Sequence, residues 1–256
     1  MYPELFSIGP VTLHTYGLLV ATGFLTGIWW MGRLGAREGI DPDAIYDISF
    51  WAVLAAIVGS RLFFVIVNYQ QFAPRPLDIF KIWSGGLVFY GGLIGAFIAM
   101  VIMAGRRNIP IWKLADIAAQ GGALGHSIGR LGCFFAGCCY GLPSSAPWAV
   151  TFNNVKSIAP RGVALHPTQL YDSLNELTIF LILSWLAPRK RFAGQVWWTW
   201  VGLYAIGRSV VEMYRDDPRG SIFGGALTTS QGVAAAVICV AIFMYAWNWP
   251  RKTSQS

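Results

Sequence analysis

What most constrains this chain is a row of about seven apolar stretches, each close to the ~20 residues needed to cross ~30 Å of hydrocarbon. They run over residues 11–32, 46–68, 86–104, 114–137, 169–187, 194–214 and 228–248. Charged residues make up only 12% of the chain, whereas soluble domains carry about 25%. A chain so poor in charge belongs in a bilayer. The expected architecture is an all-α polytopic membrane protein: about seven transmembrane helices around a lipid-accessible cavity, with residues 1–256 as a single integral-membrane domain. The 29 glycines and 12 tryptophans fit this, because glycine is frequent in spanning helices and tryptophan at their interfaces.

The loops carry the remaining information about topology. Residues 138–168, which include "YGLPSSAPWAVTFNNVKSIAPRGVALHP", are rich in Pro, Ser and Asn and read as an extracytoplasmic segment. The piece "QFAPRPLDIFKIWSGG" reads as an amphipathic or re-entrant element, since its two prolines oppose one long helix. One set of loops holds Arg33, Arg37, Arg106, Arg107, Lys113, Arg189, Lys190, Arg191, Arg251 and Lys252; the other holds Arg75, Lys81, Lys156, Arg161, Arg215 and Arg219. The positive-inside rule makes the first set cytoplasmic, the N-terminus external and the C-terminus cytoplasmic. "MYPELFSIGP" lacks a basic n-region and a cleavage site, so the first apolar run is expected to stay as an anchor. The net charge of +7 is scattered between apolar runs rather than gathered on one stretch, which argues against a nucleic-acid partner.

Three arginines lie inside predicted spans: Arg61 in "VGSRLFF", Arg130 in "GHSIGRLGCFFAGCCYG" and Arg208 in "YAIGRSVVEMYR". An arginine at a helix centre costs roughly 2.5–3.5 kcal/mol on insertion scales, so it needs a partner or a wet cavity. Arg208 has Glu212 one turn away, an ordinary i,i+4 pair. Arg61, mid-span, reads as structural somewhat more readily than functional. Arg130 has no acid near it on its own helix, and Gly125, Gly129, Gly132 and Gly137 surround it. Glycines let another backbone or a ligand come close. A guanidinium donates paired hydrogen bonds to phosphate and stays charged in a low dielectric, and the phosphates nearest a membrane cavity are those of lipid headgroups.

Of the four cysteines, Cys133 and Cys138 stand five apart, which on a continuing helix points them to different faces, and the vicinal Cys138–Cys139 pair is ill suited to a tetrahedral metal. His126 lies seven before Cys133 and could share its face. Packing is the favoured reading over metal, and Cys239 in "AVICVAIF" reads as packing too. Other polar islands are His14 and Tyr16 in "LHTYGLL", Tyr90 in "GGLVFYGGLIG", and His166, Gln169, Tyr171 and Asp172 in "LHPTQLYDSLNEL".

Together these segments resemble the phosphatidylglycerol–prolipoprotein diacylglyceryl transferase family along nearly the whole chain. The resemblance rests on H-x-Y-G at His14–Gly17, G-x-R-L around Arg61, GG-x-x-F-x-GG at 85–92 and GR-x-G-x-F…G at 129–141. It continues in HP-[ST]-Q-L-Y at 166–171 and in Tyr204, Arg208 and Glu212. It implies transfer of the diacylglyceryl group of phosphatidylglycerol to the thiol of a lipobox cysteine, with release of glycerol 1-phosphate, in the bacterial cytoplasmic membrane. The implied partners are phosphatidylglycerol, prolipoprotein lipobox peptides and the bilayer, and no metal or organic cofactor is implied.

The implied catalytic set is Arg130, Arg208, Tyr16, His14, Tyr90 and Glu212; the implied substrate-binding set is Arg130, Arg208, Tyr204, Gly141, Cys133, Cys138, His166, Gln169 and Arg61. Family members often carry His where this chain has Tyr90, and Asn and Glu where it has Cys133 and Cys138. The base that takes the thiol proton therefore stays open among His14, His166, Glu212 and direct lowering of the thiol pKa by the arginines. The other readings of the same residues are a lipid transporter or scramblase, and a family paralogue with an altered acceptor or no activity.

Overall fold

The computed structural model describes residues 2–9, 11–81, 85–216, 221–222 and 227–249; Arg219, Arg251 and Lys252, used above for orientation, lie outside them. In chain order the elements are β1 (Glu4–Ile8), β2 (Val11–His14), α1 (Thr15–Arg37), α2 (Pro42–Val67), the short α3 (Tyr69–Phe72), a 3-10 turn (Pro76–Phe80), α4 (Phe89–Arg106) and α5 (Ile111–Ala136). There follow β3 (Val150–Thr151), β4 (Ala164–Leu165), α6 (Thr168–Leu186), a second 3-10 turn (Ala187–Arg189), α7 (Gln195–Glu212), β5 (Ser221–Ile222), β6 (Leu227–Thr228) and α8 (Thr229–Asn248).

Seven of these helices have 18 residues or more, and each falls within a few residues of one apolar stretch of the sequence. Three segments, Pro42–Val67, Phe89–Arg106 and Gln231–Asn248, are long and apolar enough to cross a membrane by length and composition. The largest departure is at the start. The stretch expected to begin a helix at residue 11 opens instead as β2, because Val11–His14 pairs antiparallel with Glu4–Ile8, so His14 ends a strand and Tyr16 is the second residue of α1. The stretch 71–86, read as amphipathic or re-entrant, holds only the end of α3 and a 3-10 turn among its described residues.

The chain divides into two compact units, Met31–Leu114 and Met1–Trp30 with Ala115–Ser256. In the first, Asp41 caps α2 by accepting from the Asp43 amide at 3.1 Å, with Pro42 in the first turn. At 1.5 Å per residue its 26 residues reach about 39 Å, enough to cross the hydrocarbon with some tilt. Helices α2 and α4 pack backbone to backbone: a Cβ on Gly59 or on Gly91 would run into the other's carbonyl oxygen. In lipid, where apolar side chains gain nothing by leaving the solvent, such close approach supplies the association energy. Only 6% of the apolar stretch of α2 is buried, leaving Phe50, Leu54, Val58 and Leu62 exposed as a surface for acyl chains.

Arg61, on α2, is 7% exposed. It donates to the carbonyls of Ile79 (2.7 Å), Asp78 (2.7 Å), Gly85 (2.8 Å) and Gly86 (3.3 Å), and the rings of Phe64 and Phe72 lie against it. Its guanidinium thus clamps the backbone at Asp78, Ile79, Gly85 and Gly86 to α2. Asp78 has Lys81 2.5 Å away, which holds its carboxyl below the usual carboxylate range.

In the second unit, α1 crosses α5 at Gly23, Gly27, Gly121 and Gly125; a Cβ on Gly125 would stand 2.7 Å from the Gly23 carbonyl oxygen. Helices α5, α6 and α7 share a core of Ala119, Ala123, Ile179, Leu183 and Val196, closed by Phe180, Trp197 and Trp200. The first amides of α7 would be orphaned in an apolar setting. Asp116 of α5, 1% exposed, accepts from the amides of Gly194 (3.0 Å) and Trp197 (3.1 Å), with Lys190 at 3.4 Å.

The segment after α5 is folded rather than loose. Strands β3 and β4 pair over a small core of Phe152, Ala159 and Leu165. Glu4 of the N-terminal hairpin pairs with Lys156, and Gly141 and Leu142 bond to the backbone around His166 and Tyr214. Hairpin, segment and the C-terminal end of α7 are therefore tied together. Asp116→Ala is expected to cost about 1–3 kcal/mol, read as a lowered midpoint of thermal unfolding in detergent, because two buried amides and Lys190 would lose their acceptor.

Candidate functional site

The second unit gathers most of the ionisable groups picked out from the sequence. On α5, His126, Arg130 and Cys133 follow at spacings of four and three, which lines them along one face. Arg130 pairs with Asp172 of α6, and the two side chains are 12% and 9% exposed. Its Nη1 lies 3.6 Å from Cys133 Sγ. The acid absent from the arginine's own helix is therefore supplied by the neighbouring one. Ser173 Oγ donates to the Ser127 carbonyl at 2.7 Å and sets the register of α5 against α6 at this level.

One turn further along α6 stands Glu176, 1% exposed. Its Oε1 is 3.0 Å from His126 Nδ1, and its Oε2 accepts from Trp200 Nε1 of α7 at 3.4 Å. On α7, Tyr204, Arg208 and Glu212 follow at four-residue spacing, and Arg208 pairs with Glu212 as the sequence implied. The Tyr204 ring lies 6.0 Å from that of His126. A Cβ on Gly207 would overlap the Asn175 amide, which keeps α6 and α7 close beside it.

Among the described residues, two buried donors of these arginines, Arg130 Nε and Arg208 Nη1, have no hydrogen-bond partner. Leaving a buried donor unmet costs about 1–3 kcal/mol, more for a charged group. Such donors are therefore suited to an anionic ligand that brings its own oxygens.

The remaining sequence candidates separate into groups. Tyr16, at the start of α1, sits where a Cβ on Gly132 would stand 3.1 Å from its carbonyl, within the field of Cys133, Cys138, Cys139 and Arg130. His14 is exposed on β2. His166 Nδ1 meets the Tyr171 hydroxyl at 3.0 Å, which also accepts from Trp148 Nε1 at 2.7 Å, and the His166 ring packs on Tyr214. Gln169 is fully buried and donates to the Cys138 carbonyl, while Thr168 donates to that of Cys139, both at 2.7 Å. Gly141 faces the Tyr214 carbonyl and the His166 side chain. The HP-T-Q-L-Y stretch thus holds the turn after α5 in place. Arg61 and Tyr90 belong to the other unit, and Tyr90 is exposed there beside Phe89.

One inference from spacing is corrected. Cys133 and Cys138 do not diverge, because the helix stops at Ala136. Gly137 (φ +74°) and Cys139 (φ +57°) then take left-handed backbone, turning Cys138 and Cys139 back so that all three sulfurs lie within 4.8 Å of one another. Sequence reasoning also left out the Glu176–His126 pair and the tie of Asp172 to Arg130. The four-residue spacing of Asp172 and Glu176 on α6, matching that of His126 and Arg130 on α5, was the available signal.

Geometry and composition define a helical membrane protein with an arginine-centred polar cluster on α5, α6 and α7. The family model for prolipoprotein diacylglyceryl transferase matches residues 3–247. Proteins named phosphatidylglycerol–prolipoprotein diacylglyceryl transferase are 36% identical in Synechococcus elongatus (98% of this chain, 89% of that protein), 32% in Clostridium tetani (96% and 97%) and 37% in Finegoldia magna (93% and 92%). The chain belongs to the prolipoprotein diacylglyceryl transferase family.

Removing one member of a buried ion pair strands its partner at a cost of about 3–5 kcal/mol. Asp172→Ala is expected to destabilise the protein by that amount in denaturant unfolding, and Arg130→Ala/Asp172→Ala by less than the sum of the two single changes.

Proposed function

We propose that this protein transfers the diacylglyceryl group of phosphatidylglycerol to the thiol of the lipobox cysteine of prolipoproteins, releasing glycerol 1-phosphate. The observation that carries this reading is the pair of unmet, buried guanidinium donors, Arg130 Nε and Arg208 Nη1, in a chain of this family.

In the reaction the cysteine sulfur attacks the glycerol carbon that bears the phosphoester oxygen. The C–S bond forms as the C–O bond breaks, and its electron pair stays on the departing glycerol 1-phosphate. The thiol gives up one proton. The phosphate passes from one negative charge toward two, so a fixed cation grips it harder in the transition state than in the ground state. Arg130 and Arg208 supply that charge. Asp172 and Glu212 keep both guanidinium groups oriented and make their burial tolerable. Tyr204 and Tyr16 offer hydroxyls to the headgroup and leaving group. The thiol, with an ordinary pKa of about 8.5, is drawn toward its thiolate by the same cations.

All seven long helices are taken to cross the bacterial cytoplasmic membrane around a cavity open to lipid. What supports an external N-terminus and an external 138–168 segment is the loop charge bias together with the Glu4–Lys156 pair and the bonds of Gly141 and Leu142 near the end of α7. A mostly apolar hollow of about 320 Å³ lined by Leu5, Leu18, Leu19 and Phe135 is suited to part of an acyl chain. A second hollow, of about 400 Å³ around Asp41, Arg107 and Lys113, contains none of the site residues.

Reconstituted protein is expected to consume phosphatidylglycerol and lipidate a lipobox peptide; lipid movement with no consumption would make it a transporter instead. Arg130→Ala and Arg208→Ala are each expected to lower kcat by about 100-fold or more, the scale for losing a donor aimed at developing charge. Arg130→Lys and Arg208→Lys should fall between alanine and wild type, since lysine lacks the planar fork. Near-wild-type transfer by both alanine variants would remove the arginines from the mechanism.

A further inference from the structure

Beyond the lipid-transfer site, we propose that Cys133, Cys138 and Cys139 form a binding site for one soft, thiophilic d10 cation of the Cu(I) or Zn(II) class. The three sulfurs converge within 4.8 Å, and none is in a disulfide. Metal–sulfur bonds of about 2.3 Å set the sulfurs of a bound ion about 3.8 Å apart in tetrahedral geometry and about 4.0 Å in trigonal geometry. Small changes in side-chain rotation bring the sulfurs from the observed spacing to the required one.

The backbone is arranged to bring these thiols together. Cys139 is one of the two non-glycine described residues with positive φ, a conformation that costs energy and persists only where its surroundings enforce it. Those surroundings are specific: Thr168 and Gln169 of α6 hold the carbonyls of Cys139 and Cys138, and the Cys138 amide bonds back to the Cys133 carbonyl at 3.2 Å. The vicinal pair that looked unfit for a metal on a regular helix becomes fit because the turn reverses between the two arms.

Charge and ligand type favour the same occupant. Thiolates select soft cations such as Cu(I) and Zn(II) over Mg(II) and Ca(II). Three thiolates around such an ion leave a net negative site, and Arg130, whose Nη1 reaches Cys133 Sγ, supplies an offsetting positive charge. Three protein ligands leave one tetrahedral vertex open. Because the arginine that flanks the sulfurs also belongs to the lipid-transfer cluster, an ion held here sits directly beside that chemistry.

The test uses the full-length, reduced protein in detergent with Cd(II) as the d10 probe. One equivalent is expected to bind with a thiolate-to-metal charge-transfer band, to be displaced by Cu(I), and to be unaffected by excess Mg(II). Cys133→Ser, Cys138→Ser and Cys139→Ser should each lower affinity at least tenfold, while Cys239→Ser should not change it. For variants that do not fold, wild-type protein alkylated with and without Cd(II) is read by mass spectrometry: Cys133, Cys138 and Cys139 should be protected and Cys239 should not. Absence of the band on folded, reduced protein, unchanged affinity in any one of the three folded serine variants, or equal alkylation with and without Cd(II) would overturn the proposal. None of these readouts depends on lipid transfer, so failure here leaves the transferase reading standing, and the reverse also holds.

Discussion

A guanidinium away from water is tolerated only with an opposite charge or a full set of acceptors, and the second unit is organised around that requirement. Arg130 of α5 is answered by Asp172 of α6, and Arg208 by Glu212 within α7. Glu176, almost wholly buried, is answered by His126 and Trp200. These pairs knit three helices through polar contacts where apolar packing gives little advantage over lipid. In the first unit Arg61 meets the same requirement differently, with four bonds to backbone carbonyls. One arginine thus holds a turn, while the other two keep donors in reserve.

The reserve is what connects stability with function. A guanidinium fully consumed by its own chain, as Arg61 nearly is, has little left for a ligand. Arg130 and Arg208 each hold an acid with one edge and leave a buried N–H unmet on another. The acids lower the cost of placing the charge, and the proposed function assigns the unmet donors to a phosphate group. Glycine contributes by letting α1 lie against α5 at Gly23 and Gly125, which brings Tyr16 against Gly132.

The turn after α5 shows how local and distant constraints meet. Gly137 and Cys139 reverse the chain, and the first turn of α6 fixes the reversal through Thr168 and Gln169. His166 packs its ring on Tyr214 and Gln169 donates its amide to the Cys138 carbonyl, and both contacts hold the loop that carries Cys138 and Cys139.

The order of residues along the chain already contained the helices and the side chains that had to be special. An apolar run near twenty residues has few alternatives to a helix in lipid, so the seven long helices were legible to within a few residues, except where β-pairing of Val11–His14 with Glu4–Ile8 delayed α1. The Arg208–Glu212 pair was legible because helical spacing alone sets it. The partner of Arg130, the His126–Glu176 contact and the meeting of three sulfurs were not. Each joins residues on different helices, or on either side of a helix end, and depends on how α5 and α6 are rotated and where α5 stops. Spacing along one chain contains no such rotation; only the packed helices supply it.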